Sequence, residues 1–285
     1  MTRVIYTSEL QEPLRVLLSP GRVARDLLRH REVIRTFVTR DFRATHRGTY
    51  LGPIWSVLSP LIMLALFTFI FGGIFHGRFT HNASETPVEF ALAMFIGLSL
   101  FNCFGQSANT APSVILANTP YVKTLNFPLQ ILPVASVMQM VINMAIALAL
   151  CLAIFFAMHG FIYWSAVGLI PLGLCVTLFS LGASWLLAAL GVFIRDIPSI
   201  VGPITTVLMF LSSVFFSIDS VPPRVRWFVE LNPLAVIIDE ARGCVMYDRW
   251  PDLPVMAFIC ALSLAVALFG YAVFMRMKAA FADVV

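Results

Sequence analysis

The sequence predicts an all-α integral membrane protein, and its composition and the distribution of its charges indicate this fold class. Hydrophobic residues make up 59% of the 285 residues and charged residues only 12%, whereas a soluble domain carries about 25% charged residues. Several long stretches contain no Asp, Glu, Lys or Arg, and a helix needs roughly 20 such residues to cross a bilayer. A soluble globular protein is therefore excluded, because too little polar surface is available to enclose one.

Six membrane-spanning helices are predicted within residues 53–275. The longest uncharged stretch divides at His159-Gly160, because an aromatic pair typical of the membrane interface follows at Tyr163-Trp164. A segment at 1–52 precedes the spans and a tail at 276–285 follows them. The expected spans are Pro53–Phe75, Glu89–Thr110, Pro133–Met158, Trp164–Phe193, Ser199–Ser217 and Pro254–Met275.

The basic residues predict the orientation of these spans. Most of the 19 Lys and Arg residues fall before the first span, in the tail and in alternate loops. The positive-inside rule therefore predicts that both termini are cytoplasmic. The polar, arginine-rich start also lacks the apolar core of a cleaved signal peptide, so we expect this segment to be retained.

An amphipathic helix is predicted before the first span, where apolar residues such as Val33, Phe37 and Phe42 recur at helical spacing. We expect this helix to lie in the cytoplasmic membrane interface, with its apolar stripe toward the acyl chains and its arginines at the headgroups. It could serve only as an anchor, or it could also contact substrate headgroups or a partner. No nucleic-acid site is expected, because no base-stacking motif accompanies the basic residues. The arginines assigned to the interface are Arg40, Arg43 and Arg47.

The interiors of the predicted spans contain uncharged polar residues but no carboxylate, lysine or histidine. This pattern argues against a carrier coupled to protons or ions, which usually needs such a group inside the membrane. In the second span, Ser99, Asn102, Gln106, Asn109 and Ser113 follow at intervals of three and four, which places them on one helix face. Two interpretations of this stripe remain: hydrogen bonding between helices, or the wall of a pore for a hydroxyl-rich solute.

Aromatic side chains are abundant in the same spans. The first span places Phe67, Phe71 and Phe75 on one face, and Phe210 lies in the fifth. Sugar rings present C–H faces that stack on aromatic rings, while amides and hydroxyls bind their hydroxyl groups. An uncharged channel with both kinds of side chain suits a polysaccharide, although each ring could equally well serve for packing.

Sequence motifs for enzymes and cofactors are absent. The chain contains no Gly-x-x-x-x-Gly-Lys-Ser/Thr nucleotide loop, no His-Glu-x-x-His metal pair and no Gly-x-Ser-x-Gly elbow. We therefore expect neither a metal nor a cofactor in this chain. A membrane enzyme that modifies glycans remains an alternative because of Asp239-Glu240, but adjacent helical residues diverge by about 100° and are poorly placed to act together.

Four sequence strings resemble the permease subunits of bacterial ABC transporters that export polysaccharides such as O antigen, capsule or teichoic acid. They cover most of the chain in the family's order. The strings are 40–55 (RDFRATHRGTYLGPIW), 123–133 (KTLNFPLQILP), 193–197 (FIRDI), and 231–234 (LNPL) with Arg242.

This resemblance implies a homodimer in the bacterial inner membrane that exports a polysaccharide or lipid-linked glycan. Two separate subunits would bind ATP and Mg and hydrolyse the nucleotide. The external segment at 218–253 would form re-entrant helices. A permease for a drug, of similar architecture, is a further alternative. Candidates for coupling to the ATPase are Arg195 and Asp196, which could instead be a solvated pair, and Lys123, Asn126 and Phe127 as a second contact.

Overall fold

The computed structural model describes residues 18–45, 49–70, 86–123 and 127–284, and these residues form helices and connecting turns without any β-strand. Ten of the helices have eight or more residues. They are α1 (Pro20–Arg29), α2 (Arg31–Thr45), α3 (Trp55–Phe67), α4 (Pro87–Val114), α5 (Ile131–His159), α6 (Leu169–Phe193), α7 (Ile197–Leu211), α8 (Pro223–Glu230), α9 (Pro233–Met246) and α10 (Leu253–Met277).

Five helical stretches of the described chain are long and apolar enough to cross a membrane, which confirms the all-α membrane class. They correspond to the first four predicted spans and to the last one. The predicted end of the first span, with Phe71 and Phe75, lies outside the described residues. The five stretches are Gly52–Ile70, Pro87–Val114, Ile131–His159, Trp164–Phe193 and Leu253–Ala280.

The predicted fifth span, Ser199–Ser217, is only partly helical. Helix α7 has 15 residues and ends at Leu211, so at about 1.5 Å per residue it is shorter than the roughly 30 Å hydrocarbon core. The chain leaves the helix at Ser212, and Ser213 has a φ of 56°, in the left-handed region. The absence of charge extends the apolar stretch beyond the helix, which is why the sequence alone overestimates the helix length.

Local sequence explains where the two long neighbouring helices α4 and α5 begin and end. Helix α4 begins with a capping box between Thr86 and Glu89, with Pro87 at its first position. Helix α5 ends at Gly160, whose φ of 77° suits glycine. The imidazole Nε2 of His159 lies 2.9 Å from the Glu89 carboxylate. The start of α4 and the end of α5 therefore meet at one end of the bundle, as expected for antiparallel neighbours.

Helix α4 forms the centre of the bundle, and α6 packs closely against both α4 and α10. At the crossing of α6 and α10, Gly182 and Gly270 bring the two backbones into contact, and a Cβ atom on either one would overlap the other helix. Near the far end of α6, Gly191 packs in the same way against the backbone of Pro112 in α4. Small residues allow this close approach, which favours helix association in membranes.

The apolar stripe of the amphipathic helix is covered by protein at Phe37, one of the residues expected to lie toward the acyl chains. The Phe37 ring in α2 is 6% exposed. Its centroid lies 5.2 Å from that of Tyr121 and 5.9 Å from that of Phe127. Helix α2 is therefore docked on the segment that precedes α5. The spacing of apolar residues predicts a buried face, but it does not tell lipid from protein.

The segment at 218–253 contains the two short helices α8 and α9, in line with the prediction of short helices there. Helix α9 lies deep in the bundle, and Ile237, Ile238 and Ala241 have no exposed surface. It is joined to the end of α7 by Asn232, whose side-chain nitrogen donates to Ser212 Oγ at 2.9 Å. The segment is thus packed into the fold and is not a free loop.

Candidate functional site

A cavity of about 470 Å³ lies between the end of α2 and helices α3, α4 and α5. Its walls combine uncharged polar side chains with a few apolar ones, and none of its lining residues is charged. Most ligand pockets have volumes of about 300–1,000 Å³, so a small ligand or part of a larger one fits here. The lining residues are Thr45, Thr49, Trp55, Ser56, Ser59, Pro60, Met63, Phe95, Leu98, Ser99, Asn102, Gln106, Gln139, Asn143, Met144 and Ala147.

The polar wall is built from two stripes on facing helices. Helix α4 contributes Asn102 and Gln106, and α5 contributes Gln139 and Asn143. Residues four apart share one face of a helix, so each helix presents a pair of amides toward the other. The sequence placed Asn102 and Gln106 on one stripe, and the tertiary structure brings Gln139 and Asn143 opposite them in one cavity.

Three of the four amides have no hydrogen-bonding partner in the described chain: Asn102, Gln106 and Asn143. In hydrocarbon, each unsatisfied polar group costs several kcal/mol. Since all three helices around the amides belong to membrane-length stretches, these groups need polar partners from outside the described chain, such as water or a polar ligand. Ser99 differs from them, because its hydroxyl donates to the Phe95 carbonyl at 2.7 Å.

The end of α2 forms one border of this cavity. The Gln139 side-chain nitrogen donates to Thr45 Oγ at 2.9 Å and ties α5 to α2. The Trp55 side chain, at the start of α3, lines the cavity beside them, and Trp55 and Phe95 supply the aromatic rings among its described lining residues. Gly52 allows the turn into α3, since its φ is 53°.

The sequence left two interpretations of the polar stripe of α4: hydrogen bonding between helices, or the wall of a pore. Each applies to a different part of the stripe. Asn109 does not line the cavity, because its side-chain oxygen accepts a hydrogen bond from Thr205 Oγ in α7 at 3.1 Å. Thr110 and Ser136 likewise join α4 to α5 through hydroxyls 3.1 Å apart. One part of the stripe therefore holds helices together, and the part at Asn102 and Gln106 faces the cavity.

The aromatic candidates do not meet at the cavity. Phe67 packs, partly buried, against the hydrophobic core. Phe210 is 58% exposed on α7, and its ring lies 5.4 Å from that of Phe215 at an interplanar angle of 31°. Phe71 and Phe75 lie outside the described residues. Phe210 is thus available at a surface, whereas Phe67 contributes to packing.

The coupling candidates lie on turns at one end of the bundle. Arg195 and Asp196 are exposed between α6 and α7, and Lys123 is exposed at the end of a short helical turn. The Phe127 ring stacks near Tyr121, with centroids 4.8 Å apart, so it supports its own segment. Asn126 lies outside the described residues.

Two of the three interface arginines fall within the described chain. The Arg40 guanidinium lies 4.3 Å from the centroid of Phe37 and its Nε donates to Asp41 at 2.8 Å. Arg43 is exposed on the same helix, and Arg47 lies outside the described residues. Arg40 therefore also stabilises α2 locally.

The acidic pair Asp239-Glu240 is part of a packing contact. Arg249 Nη2 donates to Asp239 at 2.9 Å and lies 3.8 Å from Glu240. The side chain of Arg249 lies over Gly243, where a Cβ atom would stand 2.7 Å from its Nε. Burial raises the pKa of the Glu240 carboxyl. This arrangement fits a structural ion pair better than an open catalytic cleft.

Arg242 has a structural importance that the sequence analysis missed. Its guanidinium is buried in α9 and donates to the carbonyls of Ala93 at 2.8 Å, Phe216 at 3.2 Å and Val214. Gly97 leaves the space for it, since a Cβ atom there would stand 2.7 Å from Nη2. Arg242 thus fastens α9 and the non-helical segment after α7 to α4. The available signal was the place of Arg242 between the apolar runs at 234–238 and 244–246.

Known proteins provide an independent comparison. Residues 32–246 match the family described as ABC-2 type transporter, a range that runs from the second residue of α2 to the end of α9. The chain is 24% identical to the O-antigen export system permease protein RfbA of Myxococcus xanthus, over 92% of this chain and 98% of that protein. It is 20% identical to the polysialic acid transport protein KpsM of Escherichia coli, over 82% and 89% respectively.

The chain is also similar to a permease protein that is named for drug resistance. The daunorubicin resistance ABC transporter permease protein DrrB1 of Streptomyces coeruleorubidus is 26% identical over 75% of each chain. Since the family match covers well over half of the sequence and the relatives are permease proteins, the resemblance drawn from the four strings is confirmed. The chain belongs to the ABC-2 type transporter family.

Proposed function

We propose that this protein is the channel-forming membrane subunit of an ATP-driven exporter that moves a polysaccharide or lipid-linked glycan across the bacterial inner membrane. The observation that carries the proposal is the uncharged cavity, in which Asn102, Gln106 and Asn143 present amides without partners in the described chain. Relatives named for O-antigen export and polysialic acid transport support the same substrate class.

The chemistry of the cavity favours sugar hydroxyls. A hydroxyl group both donates and accepts hydrogen bonds, and so does a side-chain amide. Trp55 adds a flat apolar surface beside the amides. A cationic drug would be better served by carboxylates, and none lines the cavity. The glycan substrate is therefore favoured over a drug.

The proposed assembly has two copies of this chain and two copies of a partner that binds ATP and Mg, as the resemblance to polysaccharide-exporting ABC permeases implies. The lack of a Gly-x-x-x-x-Gly-Lys-Ser/Thr loop in the sequence is in keeping with a separate ATPase. Arg195, Asp196 and Lys123 form the exposed contact with that partner.

Both termini lie on the cytoplasmic side of the membrane. In this orientation, α7 and the segment after it serve as the fifth of six crossings. The cavity then lies in the cytoplasmic half of the membrane.

Stimulation of ATP hydrolysis by glycan in the purified complex tests this function. The chain is purified with its co-expressed ATPase, and hydrolysis is measured with and without lipid-linked glycan. We expect glycan to stimulate hydrolysis, and we expect replacement of two amides, Asn102→Leu with Asn143→Leu, to abolish the stimulation. Thr206→Val is the matched control, since this exposed residue of α7 bonds only within its own helix.

Two other results would contradict the proposal. Modification of glycans by the isolated chain, without any ATPase, would favour the membrane enzyme. Loss of the protein with unchanged surface polysaccharide but increased drug accumulation would favour a drug exporter.

A further inference from the structure

A polar network joins the first helix to the last span, at the end of the bundle where α4 ends and α5 begins. Its centre is the Asp26 carboxylate in α1. Asp26 Oδ2 accepts hydrogen bonds from Gln130 Nε2 and from the Tyr271 hydroxyl, each at 2.9 Å. Its Oδ1 lies 3.3 Å from His30 Nδ1, one turn along α1. The carboxylate thus binds two residues that are far from it in sequence.

Gln130 accepts two further hydrogen bonds from distant residues. Its side-chain oxygen accepts from Lys278 Nζ at 3.3 Å, and its backbone oxygen accepts from Trp185 Nε1 at 3.0 Å. Only 4% of Gln130 is exposed, and Trp185 and Tyr271 are each 1% exposed. The rings of these two aromatic residues meet edge to face at 5.2 Å. Gln130 is therefore bonded directly to α1, to α6 and to the turn that follows α10.

The position of Gln130 in the chain gives this network its significance. Gln130 immediately precedes α5 and follows the segment that contains Lys123 and Phe127, the second contact assigned to the ATPase. A force applied to that segment reaches Gln130 within a few residues. From Gln130 the force passes to Asp26 and then to Tyr271 in the last span. Tyr271 lies about 140 residues after Gln130 in the sequence.

The network is suited to transmit movement because its two donors are buried and its acceptor is charged. Gln130 and Tyr271 are 4% and 1% exposed, whereas the Asp26 side chain is 20% exposed. Hydrogen bonds to a carboxylate are stronger than those between neutral groups. Packed interiors also move as units and do not deform gradually. The bonds at Asp26 therefore favour joint movement of the segment and of α10.

We propose that Asp26 is a positioning residue for energy coupling: by binding Gln130 and Tyr271 together, it makes the ATPase-contacting segment and the last span move as one body. This inference rests on the proposed function, since it assumes an ATPase docked at Lys123 and at Arg195-Asp196. Asp26 itself touches neither glycan nor nucleotide. Its effect is on how much export each hydrolysed ATP produces.

The test measures export per hydrolysed ATP in the reconstituted complex of the full chain and its ATPase. Tyr271→Phe removes one oxygen from the network and keeps the buried ring, and Asp26→Asn removes the charge. We expect ATP hydrolysis and its KM to stay within about twofold of the original, while export per ATP falls roughly five- to tenfold, as the loss of one such bond allows.

Matched controls separate this role from plain stability. Tyr163→Phe removes a tyrosine hydroxyl that makes no hydrogen bond in the described chain, and Glu32→Gln neutralises an exposed carboxylate near Arg31. Both are expected to export as the original does. If Tyr271→Phe lowers hydrolysis and export equally, or only the yield of complex, the network is merely structural and the proposal is wrong.

A spectroscopic measurement reports the movement directly. Spin labels at Ala117 and Ala279, both exposed, are attached in a variant without native cysteines. We expect their distance to be the same in nucleotide-free and ATP-trapped complexes when Asp26 is present, and to differ in Asp26→Asn. If the distance between the labels changes to the same extent in the original protein and in Asp26→Asn, the positioning role of Asp26 is wrong. Absence of glycan-stimulated hydrolysis in the original complex would instead refute the proposed function.

Discussion

The first and second membrane-length helices have similar composition but opposite environments. In the stretch Pro87–Val114, 83% of the 18 most apolar consecutive residues are buried inside the protein, whereas in Gly52–Ile70 only 6% are. The second span is the centre around which α5, α6, α7 and α9 pack, and the first lies on the outside of the bundle. Hydrophobicity alone therefore indicates that a helix enters the membrane, and packing decides whether it holds the fold or forms a surface.

The largest expected effect comes from the closest packing in the core. Gly182→Ala places a Cβ atom into the backbone of Val266 in α10, so we expect destabilisation by about 3 kcal/mol or more. The measurement is thermal unfolding in detergent. Gly202→Ala in α7 is the control, since its Cβ would meet no atom within 4 Å. Equal stability of the two variants would show that α6 and α10 can separate without cost.

A second core prediction concerns the buried arginine of α9. Arg242→Met leaves the carbonyls of Ala93, Val214 and Phe216 without this donor, and we expect a loss of about 2–4 kcal/mol. Arg242→Lys keeps the charge but cannot reach three acceptors, so we expect its stability to lie between that of Arg242→Met and that of the original protein. Thermal unfolding and proteolysis after α7 provide the measurements. Unchanged resistance of residues 212–217 would contradict the fastening role.

A matched pair of substitutions compares the two spans directly. Leu92 in α4 has no exposed surface and Ile62 in α3 is 52% exposed. We expect Leu92→Ala to cost about 2–5 kcal/mol and Ile62→Ala to cost less than about 0.5 kcal/mol, both measured by unfolding of the chain in detergent. A large effect of Ile62→Ala would show that the first span is covered by protein, as in a dimer.

The smallest expected effect on stability concerns the exposed turn between α6 and α7. Arg195→Ala and Asp196→Ala remove side chains at the surface, so unfolding should change by less than about 0.5 kcal/mol. We nevertheless expect both variants to uncouple ATP hydrolysis from export, as measured in proteoliposomes. If both variants export normally, Arg195 and Asp196 are a solvated pair and do not couple hydrolysis to export.

The extent of the apolar helices could be predicted because it depends on local composition. The long uncharged stretches and the glycine at position 160 marked most helix ends within a few residues. The end of α7 was missed, since it depends on Ser213 and on carbonyls that bind Arg242, a residue in another helix. A contact between distant segments leaves no local pattern.

The candidate site was predictable in part for the same reason. Periodicity placed Asn102 and Gln106 on one face of a helix, but it could not separate them from Asn109, whose partner is Thr205 in α7. It also placed Phe37 on an apolar stripe expected to lie toward the acyl chains, without indicating that Tyr121 and Phe127 pack against it.

The sequence by itself determined that this protein enters the membrane, where its apolar helices lie and which family it resembles, because hydrophobic runs and short motifs are local properties. Only the tertiary structure decided which polar side chains face a cavity, which helix is central and how Asp26 meets Gln130 and Tyr271. These outcomes depend on which helix faces pack together, and residues far apart in the chain determine that jointly.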